Sequence, residues 1–374
     1  MKAYGDIKSR YIQNEQENQK QKTKNKKQNK KIIMTITIKY SIGDGGVEYK
    51  NFNKIRQLPN YDRIVYIDCC NNDLTSLPSN LPESLQILNC YNNDLTSLPS
   101  NLPESLHKLR CSGNNLTELP SNLPESLQIL NCSYNNLTSL PSNLPESLQE
   151  LYCRNNNLTS LPSKLPGSLI GLECSDNNLT SLPPSLPESL QNLDCSYNKL
   201  TELPSKLPES LRELECSSNN ITSLPPNLPE SLYKLYCRNN NLTSLPSNLP
   251  GSLQNLDCSY NKLTELPSKL PESLQTLYCS NNNLTSLPIN LHELRNLTYV
   301  SYINNEIEYI PPQTTRFLNR LKNTGMTQPK LYNDRQNVHD HQIQESIRNS
   351  TNSVMAYKPS ITIEEMNEEI VCSS

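Results

Sequence analysis

The sequence contains no tryptophan and only two phenylalanines, and hydrophobic residues of all kinds make up just 34% of it. Together with 28 prolines and a mean hydropathy of -0.65, such a composition by itself points to disorder, because little apolar surface is available to offset chain entropy. Charge is also nearly absent in net terms. A formal value of -3 excludes a general electrostatic pull toward nucleic acid or anionic membrane. No apolar run approaches the ~18 residues of a membrane span; the longest candidate, Ile32 to Ile38, is broken by Thr35 and Thr37. The polar first 31 residues lack the apolar stretch and cleavage flank of a secretory signal, so a reducing, intracellular, cytoplasmic setting is expected. Only four histidines occur, and no phosphate loop, dinucleotide fingerprint, nucleophile elbow or metal-spaced histidine pair is found. No catalytic residue, cofactor, metal or small-molecule substrate is therefore expected.

What is present is a strict period of 21 residues, marked by eleven cysteines from Cys69, Cys90 and Cys111 through to Cys258 and Cys279. Around each lies the frame L-x-x-L-x-C-x-x-N-x-L-T-x-L-P-x-x-L-P-x-S, as in Leu85, Leu88, Cys90, Asn93, Leu95, Leu98, Pro99, Leu102 and Pro103. The L-x-C step reads as a short strand with alternate residues inward, so Leu88 and Cys90 enter a core while Asn89 and Tyr91 face out. Stacked coils then make one parallel sheet, roughly 55 Å long for twelve coils spaced ~4.8 Å apart. Two prolines per repeat exclude a regular helix on the outer arc, which is expected to be extended or polyproline-like with one tight turn at Pro-Glu-Ser-Leu. The asparagine column comprises Asn72, Asn93, Asn114, Asn135, Asn156, Asn177, Asn198, Asn219, Asn240, Asn261, Asn282 and Asn305. It stands where the chain leaves the sheet, so its amides are expected to satisfy turn backbone groups, a structural task.

This frame is identified as that of the leucine-rich repeat. Its short form with two Leu-Pro steps resembles the repeats of bacterial effector proteins, and the cysteine variant resembles repeat proteins of amoeba-infecting giant viruses. The resemblance covers about residues 64 to 310, read as twelve repeats. The last is atypical, with Leu297, Val300, Tyr302, Asn305 and Ile307 filling the frame after a two-residue insertion. It implies a β-rich solenoid, a horseshoe with a parallel concave sheet and an extended convex side. The effectors so resembled often carry a large ubiquitin-ligase domain after the solenoid. Here about 60 residues follow, and Cys372 lacks the Cys-x-Asp arrangement of those ligases.

Five segments are expected: a Lys-rich tail at 1–31, a β-hairpin cap at 32–63, the repeats at 64–310, a cap helix at 311–324, and a polar tail at 325–374. The tail lysines Lys20, Lys22, Lys24, Lys26, Lys27, Lys30 and Lys31 read as a solvated run, and Met34 is an alternative start. Asn115, Asn136, Asn157, Asn178, Asn220, Asn241 and Asn283 open glycosylation sequons that the repeat frame produces automatically. The cysteine row suits neither zinc, which needs four converging ligands, nor complete disulfide pairing, because eleven is odd. Buried reduced thiols are expected, with Cys70 in outward register as the better reactive candidate.

Outward strand positions are where the repeats disagree, as a recognition surface on a fixed scaffold requires. The central column runs Asp68, Asn89, Arg110, Asn131, Tyr152, Glu173, Asp194, Glu215, Tyr236, Asp257 and Tyr278. Tyr152 with Arg154, and Tyr236 with Arg238, are expected to bracket an acidic middle of Glu173, Asp194, Glu213 and Glu215. Tyr and Arg are enriched at binding hot spots, and the acidic middle favours a basic segment of a host protein over nucleic acid. The expectation is a monomeric, non-enzymatic interaction scaffold. Two alternatives are a structural or virion-surface component and a ligase-like effector acting through its C-terminal tail.

Overall fold

A computed structural model describes residues 35–323. The chain opens with an antiparallel pair, β1 (Ile36–Lys39) and β2 (Val47–Tyr49), followed by a short helix α1 (Phe52–Arg56) and a 3-10 turn over Tyr61–Arg63. The sequence expectation for 32–63 contained only the hairpin. Asn51 starts α1 by accepting a hydrogen bond from the Lys54 amide at 3.1 Å, and Ile55 and Ile64 bury completely beneath the first coil.

Twelve three-residue strands then follow, one per coil: β3 (Tyr66–Asp68), β4 (Ile87–Asn89), β5 (Lys108–Arg110), β6 (Ile129–Asn131), β7 (Glu150–Tyr152), β8 (Gly171–Glu173), β9 (Asn192–Asp194), β10 (Glu213–Glu215), β11 (Lys234–Tyr236), β12 (Asn255–Asp257), β13 (Thr276–Tyr278) and β14 (Tyr299–Ser301). Each pairs in parallel with the next, so like positions stand abreast: Leu88 against Leu109, Leu193 against Leu214, and, across the longer last repeat, Leu277 against Val300. At the other end β1 pairs antiparallel with β3, giving a single fourteen-stranded sheet among the described residues.

The sheet is held from within by three columns. Leucines such as Leu85, Leu88, Leu95, Leu98 and Leu102 fill the coil, each contributing roughly 1.5–3 kcal/mol when fully buried. The cysteines lie fully buried and reduced beside them. Several thiols donate to the carbonyl of the following coil, as Cys195 does to Glu215 O at 3.4 Å. Burial pushes these thiols well above their ordinary range; such groups are poor nucleophiles. The asparagines form the third column. The Asn177 amide donates to the carbonyls of Cys153, Cys174 and Ser175 at 3.0–3.1 Å, while its Oδ1 accepts from the Leu158 amide at 3.0 Å. One side chain thus closes its own turn and ties it to the previous coil.

The convex side carries neither strand nor helix through most of the solenoid. Each Pro-x-x-Leu step closes one turn, as Leu106 N donating to Pro103 O at 3.0 Å. A serine ladder, unforeseen in the sequence, stitches successive turns: Ser105 Oγ lies 2.6 Å from Glu83 O and 2.8 Å from Leu85 O. Only the eleventh coil differs, with a 3-10 turn at Ile289–Glu293 against which helix α2 (Pro312–Asn323) packs. This helix falls within the expected 311–324, and its opening proline is tolerated because a first turn needs no amide partner there. Phe317 and Leu318 bury on the last coil.

Candidate functional site

Register places Tyr152, Glu173, Asp194, Glu215, Tyr236, Asp257 and Tyr278 side by side on the concave face. Coils lie ~4.8 Å apart, so Glu173, Asp194 and Glu215 form three adjacent carboxylate positions, an arrangement that is repulsive when all are charged. Glu150 leans toward them: Gly171, beside it on β8, has no side chain, and a Cβ there would collide with the Glu150 carboxylate. Tyr152 Oη donates to Glu150 Oε2 at 3.2 Å.

The electrostatics follow from this crowding. Burial, reinforced by Asp194, Glu215 and Glu150 and opposed by Arg154, pushes the Glu173 carboxyl up to about 7. Asp176, in the turn after β8, also rises to about 7 through burial and Asp194, again against Arg154. Glu215 is raised by burial and Asp194 despite Lys234. Four carboxyl groups, Glu173, Asp176, Asp194 and Glu215, therefore make one acidic trough, closed at one end by the ion pair of Glu215 with Lys234 at 2.7 Å; Asp176 is a member that the strand-based reading omitted.

Several sequence expectations need correction here. Glu213 is not an open member of the acidic middle. It is buried with Lys234, whose Nζ lies 3.2 Å from Glu213 Oε2 and 2.7 Å from Glu215 Oε1, and it accepts a hydrogen bond from the Tyr233 hydroxyl. Asp68 and Asn89, expected to face out, are 7% and 2% exposed; the Asn89 amide donates to the Tyr66 hydroxyl at 3.2 Å, which itself donates to Asp68 Oδ2 at 3.0 Å. Next to them, β1 brings Lys39 over the Tyr66 ring at 4.7 Å. Across the coils the arginines also meet tyrosines that the sequence reading did not name. Arg154 lies over Tyr134 at 5.1 Å and Arg238 over Tyr260 at 4.5 Å, because a neighbouring coil is closer than the residue two places along a strand, ~6.6 Å away. At the far end Tyr278 meets Tyr299, ring centroids 4.8 Å apart, and Asp257 Oδ1 accepts from Ser259 N at 3.0 Å.

Sequence reasoning passed over Tyr134, Tyr197 and Tyr260. They occupy the left-handed turn position two residues after the cysteine, with φ of 53°, 53° and 56°, where most other coils place Asn, Asp, Ser or Gly. A bulky side chain there costs roughly 1–2 kcal/mol. Tyr134 and Tyr197 are nonetheless 44% and 41% exposed, so burial of the ring is a weak reason for their presence. The signal was available: Cys-Ser-Tyr-Asn recurs at 132–135, 195–198 and 258–261.

The Leucine Rich Repeat family model matches residues 126–146, 147–169, 189–209, 210–232, 252–272 and 273–294. No curated protein matches the sequence. Among solved structures, the functional domain of InlJ from Listeria monocytogenes, which includes a cysteine ladder, is 32% identical, with 66% of this chain and 55% of that one covered and a TM-score of 0.61. A chain of the octameric complex of latrophilin 3, Unc5D and the leucine-rich repeats of FLRT2 is 26% identical, covering 66% and 87%, with a TM-score of 0.56. YopM, a leucine-rich effector protein from Yersinia pestis, is 32% identical over 66% of this chain and 84% of its own, with a TM-score of 0.42. The chain therefore belongs to the leucine-rich-repeat family.

Proposed function

We propose that this protein is a non-enzymatic interaction scaffold that holds a basic segment of a partner protein in the trough formed by Glu173, Asp176, Asp194 and Glu215. One observation carries the reading: these carboxyls are crowded and partly desolvated on a face where the repeats diverge, while the residues behind them are nearly invariant. A lysine or arginine entering the trough relieves the mutual repulsion of its carboxylates and favours the charged forms of Glu173 and Asp176. Arg154, over the Tyr134 ring on one side, repels cations at that border, while on the other Lys234 already neutralises Glu215, which fixes register along the sheet. The FLRT2 complex supports the class, in that a repeat protein of this fold assembles there with other proteins.

The test is binding of a fluorescent peptide rich in lysine and arginine to the full chain and to its Glu173→Gln, Asp194→Asn double variant, followed by anisotropy. Roughly tenfold weaker binding by the variant, equivalent to about 1.4 kcal/mol, is expected, with the wild-type affinity falling as salt rises. Equal affinities for the two proteins would remove the trough from consideration.

A further inference from the structure

We infer that the trough has an occupant within the same chain, the lysine run Lys20 to Lys31, which lies along the concave face from the N-terminal end of the sheet. This inference rests on reading the trough as a site for basic segments. Residues 20–31 contain seven lysines and no acidic residue, a polycation facing a surface whose carboxyls repel each other.

Attachment geometry supports the pairing. β1 runs antiparallel to β3, so Thr35 enters at the edge where the asparagine column stands. It is fastened there by two hydrogen bonds with Asn72: Thr35 N donates to Oδ1 at 2.7 Å, and Nδ2 donates to Thr35 O at 2.8 Å. Asp176 and the left-handed tyrosines lie on the turns along this same edge. From Asn72 the turn bearing Asp176 is five coils away and Glu215 seven, roughly 24 and 34 Å at the sheet spacing. Lys31 precedes Thr35 by four residues and Lys20 by fifteen, so an extended chain carries them up to roughly 13 and 50 Å from the anchor. The reach of the lysine run brackets the trough.

The path between anchor and trough carries a second mark of an absent polar partner. Asn89 and Ser133 stand in outward register on the second and fourth coils, 2% and 3% exposed. Asn89 Oδ1 and Ser133 Oγ are buried there without a hydrogen-bond partner, an arrangement that ordinarily calls for an explanation. An amide- and ammonium-rich segment laid over them supplies donors. Tethering also matters, because a segment joined by a short linker is present at an effective concentration on the order of millimolar, enough to fill a site of modest affinity.

The test uses the full chain and a full-length variant with Lys20, Lys22, Lys24, Lys26, Lys27, Lys30 and Lys31 changed to Gln. A labelled peptide copying residues 20–31 is titrated into each, and the wild type is treated at high dilution with a carbodiimide, which joins lysines to carboxylates in contact. The expected result is at least tenfold tighter peptide binding by the variant, with cross-links in wild-type monomers from the tail to Glu173, Asp176, Asp194 or Glu215. Equal peptide affinity for the two proteins overturns the inference and leaves the basic-segment reading standing. Cross-links that go instead to Glu364, Glu365, Glu368 or Glu369, or that join two chains, overturn it as well. Failure of the peptide to bind either protein removes both, a pattern distinct from the others.

Discussion

Glu173 illustrates how a side chain can be costly to the scaffold and still define it. Its carboxyl is raised from an ordinary 4.5 to about 7, so between those values the folded state holds a proton that the unfolded state has released. Stability from this group is therefore undiminished below about pH 4 and falls as pH rises through 7. Replacing it by Gln should stabilise the protein by roughly 2 kcal/mol at pH 8, allowing for screening. The difference should vanish near pH 4. Thermal unfolding of wild type and E173Q at the two pH values checks this, and a variant less stable than wild type at pH 8 would contradict it. Glu173 was legible as an outward acid from alternation alone. Its altered titration was not, because that depends on Asp194 and Glu215 in other repeats and on Glu150 leaning over Gly171.

Within one coil, the division of labour between Asn177 and its neighbour Asn178 is sharp. Asn177 makes four backbone hydrogen bonds. Asn178 sits on the rim, where its amide N donates to Leu158 O at 2.8 Å, an interaction that survives loss of the side chain. Asn177→Ala should cost about 1–3 kcal/mol by leaving turn carbonyls unpaired. Hydrogen exchange should speed up in the coils of Cys153 and Cys174 before distant ones, since repeats contact only their neighbours. Asn178→Ala should be within about 0.5 kcal/mol of wild type. The strands, the inward leucines and the asparagine turns could all be read from one 21-residue frame, because each coil meets its neighbours through the same residues. The parts that escaped are those where the frame is interrupted: α1, the 3-10 turn at Ile289–Glu293, and the antiparallel pairing of β1 with β3. Their structure depends on what lies beyond the array. The lysine run, the polar segment after 324 and Cys372 lie outside the described residues.

Across the solenoid, residues 190–211 and 253–274 are identical, three coils apart. Deleting residues 190–252 would join one to the place of the other with every coil-to-coil junction chemically unchanged. The shortened protein should fold with its sheet reduced by about 14 Å and should lose affinity for basic peptides: Asp257 takes the place of Asp194, but Tyr278 stands where Glu215 stood. Circular dichroism and small-angle scattering would check the fold, and peptide anisotropy the function; an aggregated product would refute the expectation of interchangeable coils. The identical copies also pose a difficulty during synthesis. A growing chain that has built the coils up to Cys174 can receive either the stretch beginning at Leu190 or the one beginning at Leu253 at the same growing edge. Choosing the later one extrudes 63 intervening residues as a loop, whose closure entropy rises only slowly with length. Order of emergence from the ribosome, more than any difference in contact energy, then decides which copy docks first, and dilution from denaturant should yield looped-out chains that synthesis avoids.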